Sequence, residues 1–181
     1  MQILLVLILA AVSFEAGADA KAGEKKAQLC LLCHKAGNVM AAVPLLEAQP
    51  AKYLVAATTA YKTGKRPDPT MKTNVANLSA RDIADIADYF ASKAPITGIH
   101  TTDPVNTAAG ETRVNELKCA VCHQGTFSGA DSVPRLAGQS TGYLVAQLEG
   151  FAAGRRVHPS AEMPSTSNDI EIVANYLSSL K

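Results

Sequence analysis

All four cysteines of the chain fall in two short motifs of one form, C-x-x-C-H. The first motif, CLLCH, holds Cys30, Cys33 and His34, and the pattern returns as CAVCH over residues 119–123. Two cysteines three residues apart near a helix end lie on one face, about one turn apart. Two such thiols can bond the two vinyl groups on one edge of a haem, and the next histidine can bind the iron. The spacing therefore predicts covalent c-type haem at both motifs.

Other chemistries of paired cysteines fit this pattern less well. A structural zinc ion collects its four ligands in one place, whereas these pairs belong to separate parts of the chain. A redox-active C-x-x-C needs no trailing histidine, and structural disulfides more often link distant segments. We expect two haem c groups, held by thioethers at Cys30, Cys33, Cys119 and Cys122 and by iron ligation at His34 and His123.

The iron of an electron-carrying cytochrome usually takes methionine as its second axial ligand. Of the four methionines in the chain, Met1 is the start and Met40 follows His34 too closely to reach the opposite face. Met71 and Met163 remain, each in an irregular loop ahead of the last helix of its half. We expect both to bind iron; the alternative is that each only packs near the haem.

Two further features of the haem surroundings follow from spacing. His158, five residues before Met163, is an alternative iron ligand and otherwise a surface loop residue. Pro44 and Pro134 follow the two haem histidines by ten and eleven residues. Because proline fixes the backbone, each could hold a segment whose carbonyl accepts the second imidazole N–H, the usual partner of a metal-binding histidine.

The chain is an internal duplication. The sequence VPLL at residues 43–46, YLVA at 53–56 and GKR at 64–66 returns as VPRL, YLVA and GRR at a constant offset of ninety. Each copy predicts helices joined by loops, with no strand pattern. The predicted helices run from about Gly23 to Cys30 and from about Gly110 to Cys119, over 50–63 and 141–153, and onward from the capping patterns at Ser79 and Thr166.

The first twenty residues differ from the rest. An apolar run over residues 3–12 is followed by Ala18-Asp19-Ala20, a small-x-small pattern typical of signal-peptide cleavage. Ten apolar residues are too few to span a bilayer. We predict a signal peptide over 1–20, an N-terminal domain over 21–94, a linker over 95–107 and a C-terminal domain over 108–181. Export would place the mature chain in the periplasm.

The charge is modest and unevenly distributed. Residues 21–98 carry eleven Lys or Arg against six Asp or Glu, whereas residues 99–181 carry six against eight. The net charge of either half is too low for a nucleic-acid-binding protein. The positive N-terminal half predicts docking to an acidic partner.

Taken together, the two C-x-x-C-H motifs, Met71, Met163 and the repeated Tyr-Leu and Gly-Lys-Arg stretches resemble the two-domain, dihaem class I cytochromes c of the cytochrome c4 group. The resemblance implies an all-α fold of two tandem domains, each a few helices wrapped around one covalent haem. It also implies single-electron transfer from a quinol-oxidising complex to a terminal oxidase or another acceptor, with possible peripheral association with the membrane.

Two other functions stay open. The chain could be the cytochrome subunit of a larger oxidoreductase, such as a flavocytochrome sulfide dehydrogenase. It could also be a dihaem enzyme, such as a peroxidase or a thiosulfate-oxidising enzyme. Such an enzyme usually needs an open iron position, and two candidate methionine ligands argue against one.

Overall fold

A computed structural model describes residues 17–35, 42–96, 104–160 and 162–181. The predicted cleavage site lies close to the first described residue, and most of the predicted signal peptide, part of the predicted linker and Met40 lie outside the described residues. The helices are α1 Ala20–Lys26, α2 Gln28–His34, α3 Ala51–Lys62, α4 Pro69–Val75, α5 Ala80–Ala91, α6 Pro104–Glu116, α7 Ala120–His123, α8 Thr141–Ala152 and α9 Ser167–Ser179.

The all-α prediction is confirmed across these ranges, where the backbone forms no sheet beyond one isolated bridge between Ala130 and Val133. Gly64 and Gly154 follow the C-terminal ends of the middle helices, and their φ angles of 76° and 67° are those that glycine favours just past a helix. Ser79 begins α5 with a reciprocal capping box to Asp82.

Three helix predictions were wrong in detail. The first helix of each copy is interrupted, so the N-terminal one divides into α1 and α2 around Ala27. Helix α6 begins at Pro104, ahead of the predicted start and inside the predicted linker. The loop expected around Met71 contains the short helix α4, because Asp68 caps it by accepting from the Met71 amide at 2.8 Å and Pro69 suits its first turn.

Each repeat has its own core. In the N-terminal repeat, Leu54 of α3 packs with Ala87 and Phe90 of α5. In the C-terminal repeat, the equivalent Leu144 of α8 packs with Ala174 and Leu177 of α9, within a larger buried cluster. The two clusters share no residue, so the buried apolar surface that stabilises each repeat is its own.

The first and last helices of each repeat cross at a glycine. A Cβ atom on Gly23 of α1 would lie 1.9 Å from the backbone oxygen of Asp85 in α5. A Cβ atom on Gly110 of α6 would lie 2.0 Å from that of Ile172 in α9. Only glycine allows this approach of the two backbones.

A buried carboxylate also joins α1 to α5. Asp85, whose side chain is 2% exposed, accepts from Lys26 Nζ at 2.7 Å, Arg81 Nε at 2.9 Å and the Asp19 amide at 2.8 Å. The Lys26 and Asp19 donors lower its pKa. Asp19 also caps α1 by accepting from the Lys21 amide, so cleavage after Ala20 would remove both this cap and the Asp19–Asp85 hydrogen bond.

The two repeats meet through matched hydrogen bonds. Gln49 accepts from the Arg135 amide at 3.0 Å and donates to the Arg135 carbonyl at 2.9 Å. Its counterpart Gln139 does the same with Leu45, at 2.8 and 2.9 Å. Gln139 lies ninety positions after Gln49, and Arg135 lies ninety positions after Leu45, so the interface has approximate two-fold symmetry.

Replacing Gly110 by alanine should destabilise the C-terminal repeat. The new methyl group would overlap a backbone oxygen, so α6 and α9 must separate, at a cost of about 3 kcal/mol. Thermal unfolding of the purified holoprotein measures the effect. Gly150→Ala is the matched control, because its Cβ would meet only Arg156 carbons at 3.9 Å. Equal stability of the Gly110→Ala variant and the control would contradict the crossing-helix explanation.

Candidate functional site

The two C-x-x-C-H motifs occupy the ends of equivalent helices. Cys30, Cys33 and His34 all lie in α2, which ends at His34. In the C-terminal repeat, Cys119 has helical backbone angles and caps α7, which ends at His123. In the described part of the chain the cysteines form no disulfide bond. The helical spacing therefore presents each pair of sulfur atoms on one face, ahead of a histidine.

Both motif histidines are buried and held by a proline carbonyl. His34 Nδ1 lies 2.9 Å from the Pro44 oxygen, and His123 Nδ1 lies 2.9 Å from the Pro134 oxygen. The predicted contact of each imidazole with a carbonyl at the proline segment is thus confirmed. Because a carbonyl only accepts, Nδ1 carries the proton and the lone pair lies on Nε2, the ring nitrogen that could bind a metal.

Burial lowers the pKa of both imidazoles, and the proline carbonyls oppose that shift in part. The neutral form is the one that binds metal. Burial also raises the pKa of the Cys30 and Cys119 thiols, which keeps them protonated at neutral pH before any thioether forms.

The methionines are positioned differently in the two repeats. Met71 is the third residue of α4 and is half-buried. Met163 is half-buried in an irregular segment and packs against the C-terminal core cluster, as Cys119 also does. The structure thus brings Met163 and its cysteine to one cluster, whereas Cys30 borders the N-terminal cluster without Met71 being among the side chains packed there.

His158 lies closer to the second motif than its sequence position indicates. Its ring centre is 6.3 Å from that of His123, with the ring planes 16° apart, and 5.0 Å from that of Phe151. It lies in a loop, as its alternative interpretation predicted, but its side chain is half-buried and contacts two aromatic rings. The sequence signal for this position was that His158 is the one histidine in the loop that carries Met163.

Arginines cluster near the meeting of the two repeats. Arg66, 7% exposed, donates to Tyr143 Oη at 2.8 Å and to Gln147 Oε1 at 2.7 Å. Arg156 also donates to Gln147. Arg66 lies 4.5 Å from the Tyr61 ring centre, and Arg156 lies at the same distance from Phe151.

The side chain of Arg135 offers a test of whether the described residues fit a haem. Among the described residues, Arg135 Nη2 is buried without a hydrogen-bond partner, and burial lowers the pKa of its guanidinium. Such a group needs an acceptor, and the propionate carboxylates of a haem would supply one. Together with the unbridged thiols and the two oriented imidazoles, this buried donor fits the predicted group. A bound haem exchanges single electrons between its ferrous and ferric states.

Two helical repeats, each with a Cys-x-x-Cys-His turn and a carbonyl-held imidazole, define a c-type cytochrome with two haems. The chain is 34% identical to cytochrome c4 of Pseudomonas aeruginosa, over 99% of this chain and 97% of that one. The crystal structure of reduced cytochrome c4 from Pseudomonas stutzeri superposes with a TM-score of 0.81 at 28% identity, covering 91% of this chain and all of that one. The chain therefore belongs to the cytochrome c4 family, as a dihaem electron-transfer protein with covalently attached haems.

A further relative carries a functional name. The "Thiosulfate dehydrogenase electron acceptor" of Thiomonas intermedia is 29% identical over 86% of this chain and 77% of that protein. No protein-family model matches the chain. Family membership implies an exported protein, and within the described ranges no helix is long and apolar enough to cross a membrane.

Proposed function

We propose that each repeat binds one haem through its own residues. Cys30 and Cys33 form the thioethers in the N-terminal repeat, with His34 and Met71 as axial ligands. The single observation that carries the proposal is the matched pair of hydrogen bonds from His34 and His123 to proline carbonyls, which engage both Nδ1 atoms and so leave both Nε2 atoms to bind iron. In the C-terminal repeat the corresponding residues are Cys119, Cys122, His123 and Met163.

Within this arrangement the protein supplies orientation and electronic tuning. Each helix end fixes the spacing of two sulfur atoms and an imidazole. Each proline carbonyl accepts the Nδ1 proton, which orients the ring and makes Nε2 a stronger donor. The soft methionine sulfur favours ferrous iron and raises the reduction potential.

We also propose that residues 21–94 and 108–181 are two cytochrome domains joined by a linker over 95–107, after a signal peptide over 1–20. The separate cores of the two repeats support this division. The mature protein acts in the periplasm, where it carries electrons from a quinol-oxidising complex to a terminal oxidase or another acceptor.

A second candidate donor is favoured by one specific observation. The relative from Thiomonas intermedia is named for accepting electrons from thiosulfate dehydrogenase. A chain of the same two-repeat form can serve the same donor, because the docking requirement is an accessible haem edge with complementary charge. The two proposed donors are a quinol-oxidising complex and a thiosulfate dehydrogenase. Stopped-flow measurement of how fast each one reduces the purified cytochrome distinguishes them.

Removing one cysteine pair should remove one covalent haem. The double variant Cys119→Ala, Cys122→Ala should keep a single haem that resists acid–acetone extraction, and Cys30→Ala, Cys33→Ala should behave as its mirror image. A pyridine haemochrome assay after export in cells with the c-type maturation system counts the covalent groups. Two covalent haems in either variant would contradict the proposed attachment sites.

Loss of methionine should have different results in the two repeats. In Met163→Ala, the nearby His158 can supply an imidazole, so the C-terminal haem should stay low-spin with a bis-histidine EPR signal. In Met71→Ala, Asp68 occupies the position equivalent to His158, so the N-terminal haem should become high-spin and bind carbon monoxide. The double variant Met163→Ala, His158→Ala should then resemble Met71→Ala. An unchanged near-infrared methionine band in either single variant would rule out that methionine as the ligand.

Reversing charge on the N-terminal repeat should slow one partner's reaction. Lys65 and Lys72 are exposed, whereas Lys62 donates to the Leu78 carbonyl and is left unchanged. Lys65→Glu with Lys72→Glu should slow electron transfer with an acidic partner roughly tenfold at low salt and little at high salt.

The matched control for that experiment is Lys21→Glu with Lys25→Glu, which makes the same change in net charge on α1. Both control lysines are also exposed. Equal rates and equal salt dependence for the two double variants, with every physiological partner, would exclude the Lys65 and Lys72 surface as a docking site.

A further inference from the structure

One peptide group in each repeat makes hydrogen bonds in two directions. The Pro44–Leu45 peptide accepts from His34 Nδ1 at 2.9 Å through its oxygen. Its N–H donates to Gln139 Oε1 of the other repeat at 2.8 Å. A single peptide therefore connects the N-terminal haem histidine to a side chain of the C-terminal repeat.

The same arrangement holds in the opposite direction. The Pro134–Arg135 peptide accepts from His123 Nδ1 at 2.9 Å, and its N–H donates to Gln49 Oε1 at 3.0 Å. Gln49 and Gln139 are each 4% exposed. Each repeat thus buries one glutamine against the peptide that orients the other repeat's histidine.

The orientation of both amides is fixed by their second hydrogen bonds. Gln139 Nε2 donates to the Leu45 carbonyl and Gln49 Nε2 donates to the Arg135 carbonyl, both at 2.9 Å. Turning either amide over would place its NH2 group against a peptide N–H and its oxygen against a carbonyl. Gln139 Oε1 also accepts from the Ser140 amide at 2.8 Å, which holds that side chain further.

Such a series of hydrogen bonds is cooperative. When a peptide N–H donates to an acceptor, electron density moves toward the carbonyl oxygen of the same peptide, and that oxygen becomes a stronger acceptor. Each added bond strengthens its neighbour by about 10–30%. A stronger acceptor at Nδ1 makes the imidazole more basic at Nε2, and a more basic ligand favours ferric iron.

We propose that Gln139 and Gln49 are positioning residues that lower the reduction potential of the haem in the opposite repeat. The inference rests on the proposed ligation of iron by His34 and His123. The proposal is distinctive because each glutamine is expected to affect the haem of the other repeat and not the haem of its own. A glutamine in one repeat acts on the haem of the other through one peptide group, so the fit between the repeats sets both potentials.

The test replaces one glutamine and measures both haems. Gln139→Leu should shift the oxidation equilibrium of the N-terminal haem about twofold toward the reduced form, which is about 18 mV at 59 mV per factor of ten. The C-terminal haem should not change. Gln49→Leu should give the mirror result. Gln139→Met, of closer length to glutamine, serves if the leucine variant folds poorly.

The two haems are separated by a marker substitution. In a Met163→His background the C-terminal haem acquires two imidazole ligands and a much lower potential, so the N-terminal haem titrates alone. For the Gln49 variants, a Met71→His background lowers the potential of the N-terminal haem in the same way, so the C-terminal haem titrates alone. An independent readout is the NMR signal of the His34 Nδ1 proton in ferrous, ¹⁵N-histidine-labelled protein, which should move upfield in Gln139→Leu as its hydrogen bond weakens.

Two controls separate tuning from a general loosening of the interface. Lys52→Ala breaks the exposed Lys52–Asp131 ion pair between the repeats, with an N–O distance of 2.6 Å, and should leave both potentials unchanged. Gln139→Glu retains an acceptor for the Leu45 amide, so it should not raise the N-terminal potential.

Three results would overturn the proposal: unchanged potentials in haem-loaded Gln139→Leu, equal shifts of both haems, or a Gln139→Glu variant that matches Gln139→Leu. Failure of the underlying haem ligation is distinguishable from these results. It would appear in the parent protein, as missing covalent haem or as absent histidine ligation in its spectra.

Discussion

The hydrogen bond from each motif histidine to a proline carbonyl is the contact on which the rest of the site depends. It selects one imidazole tautomer, fixes the ring direction and brings the chain back beside the helix that carries the cysteines. The helices position the sulfur atoms, but only the returning segment turns the imidazole into a directed metal ligand. The short turns that follow Pro44 and Pro134 then deliver Gln49 and Gln139 to the surface where the repeats meet.

Duplication explains why that surface is built from matched parts. Each glutamine occupies the same place in its own turn and bonds the backbone of the other copy at the equivalent residue. The symmetry is incomplete where the copies have diverged. Arg66 bonds Tyr143 and Gln147, and the exposed Lys52–Asp131 pair has no counterpart, because the residue equivalent to Lys52 is Gly142. The two repeats are therefore alike in their histidine contacts and different in the polar contacts that they make with each other.

Much of this architecture was predictable because it depends on local signals. The cysteine spacing, the repeat offset, the capping box at Ser79 and the glycine after each middle helix all act within a few residues, and all agree with the fold. Helix α4 was not predicted, although Asp68-Pro69 is a local helix-start signal. The approach of His158 to His123 and the crossed glutamine bonds join residues 35 to 94 positions apart. No periodic pattern encodes such distances.

The glycine crossings of α1 with α5 and of α6 with α9 have a consequence for biogenesis. Each joins the beginning of a repeat to its end, so a repeat emerging N-terminus first from the export channel cannot close until its last helix has followed. The cysteines of α2 and α7 come out well before that. A maturation enzyme can therefore reach these cysteines on an open chain, before the final helix packs.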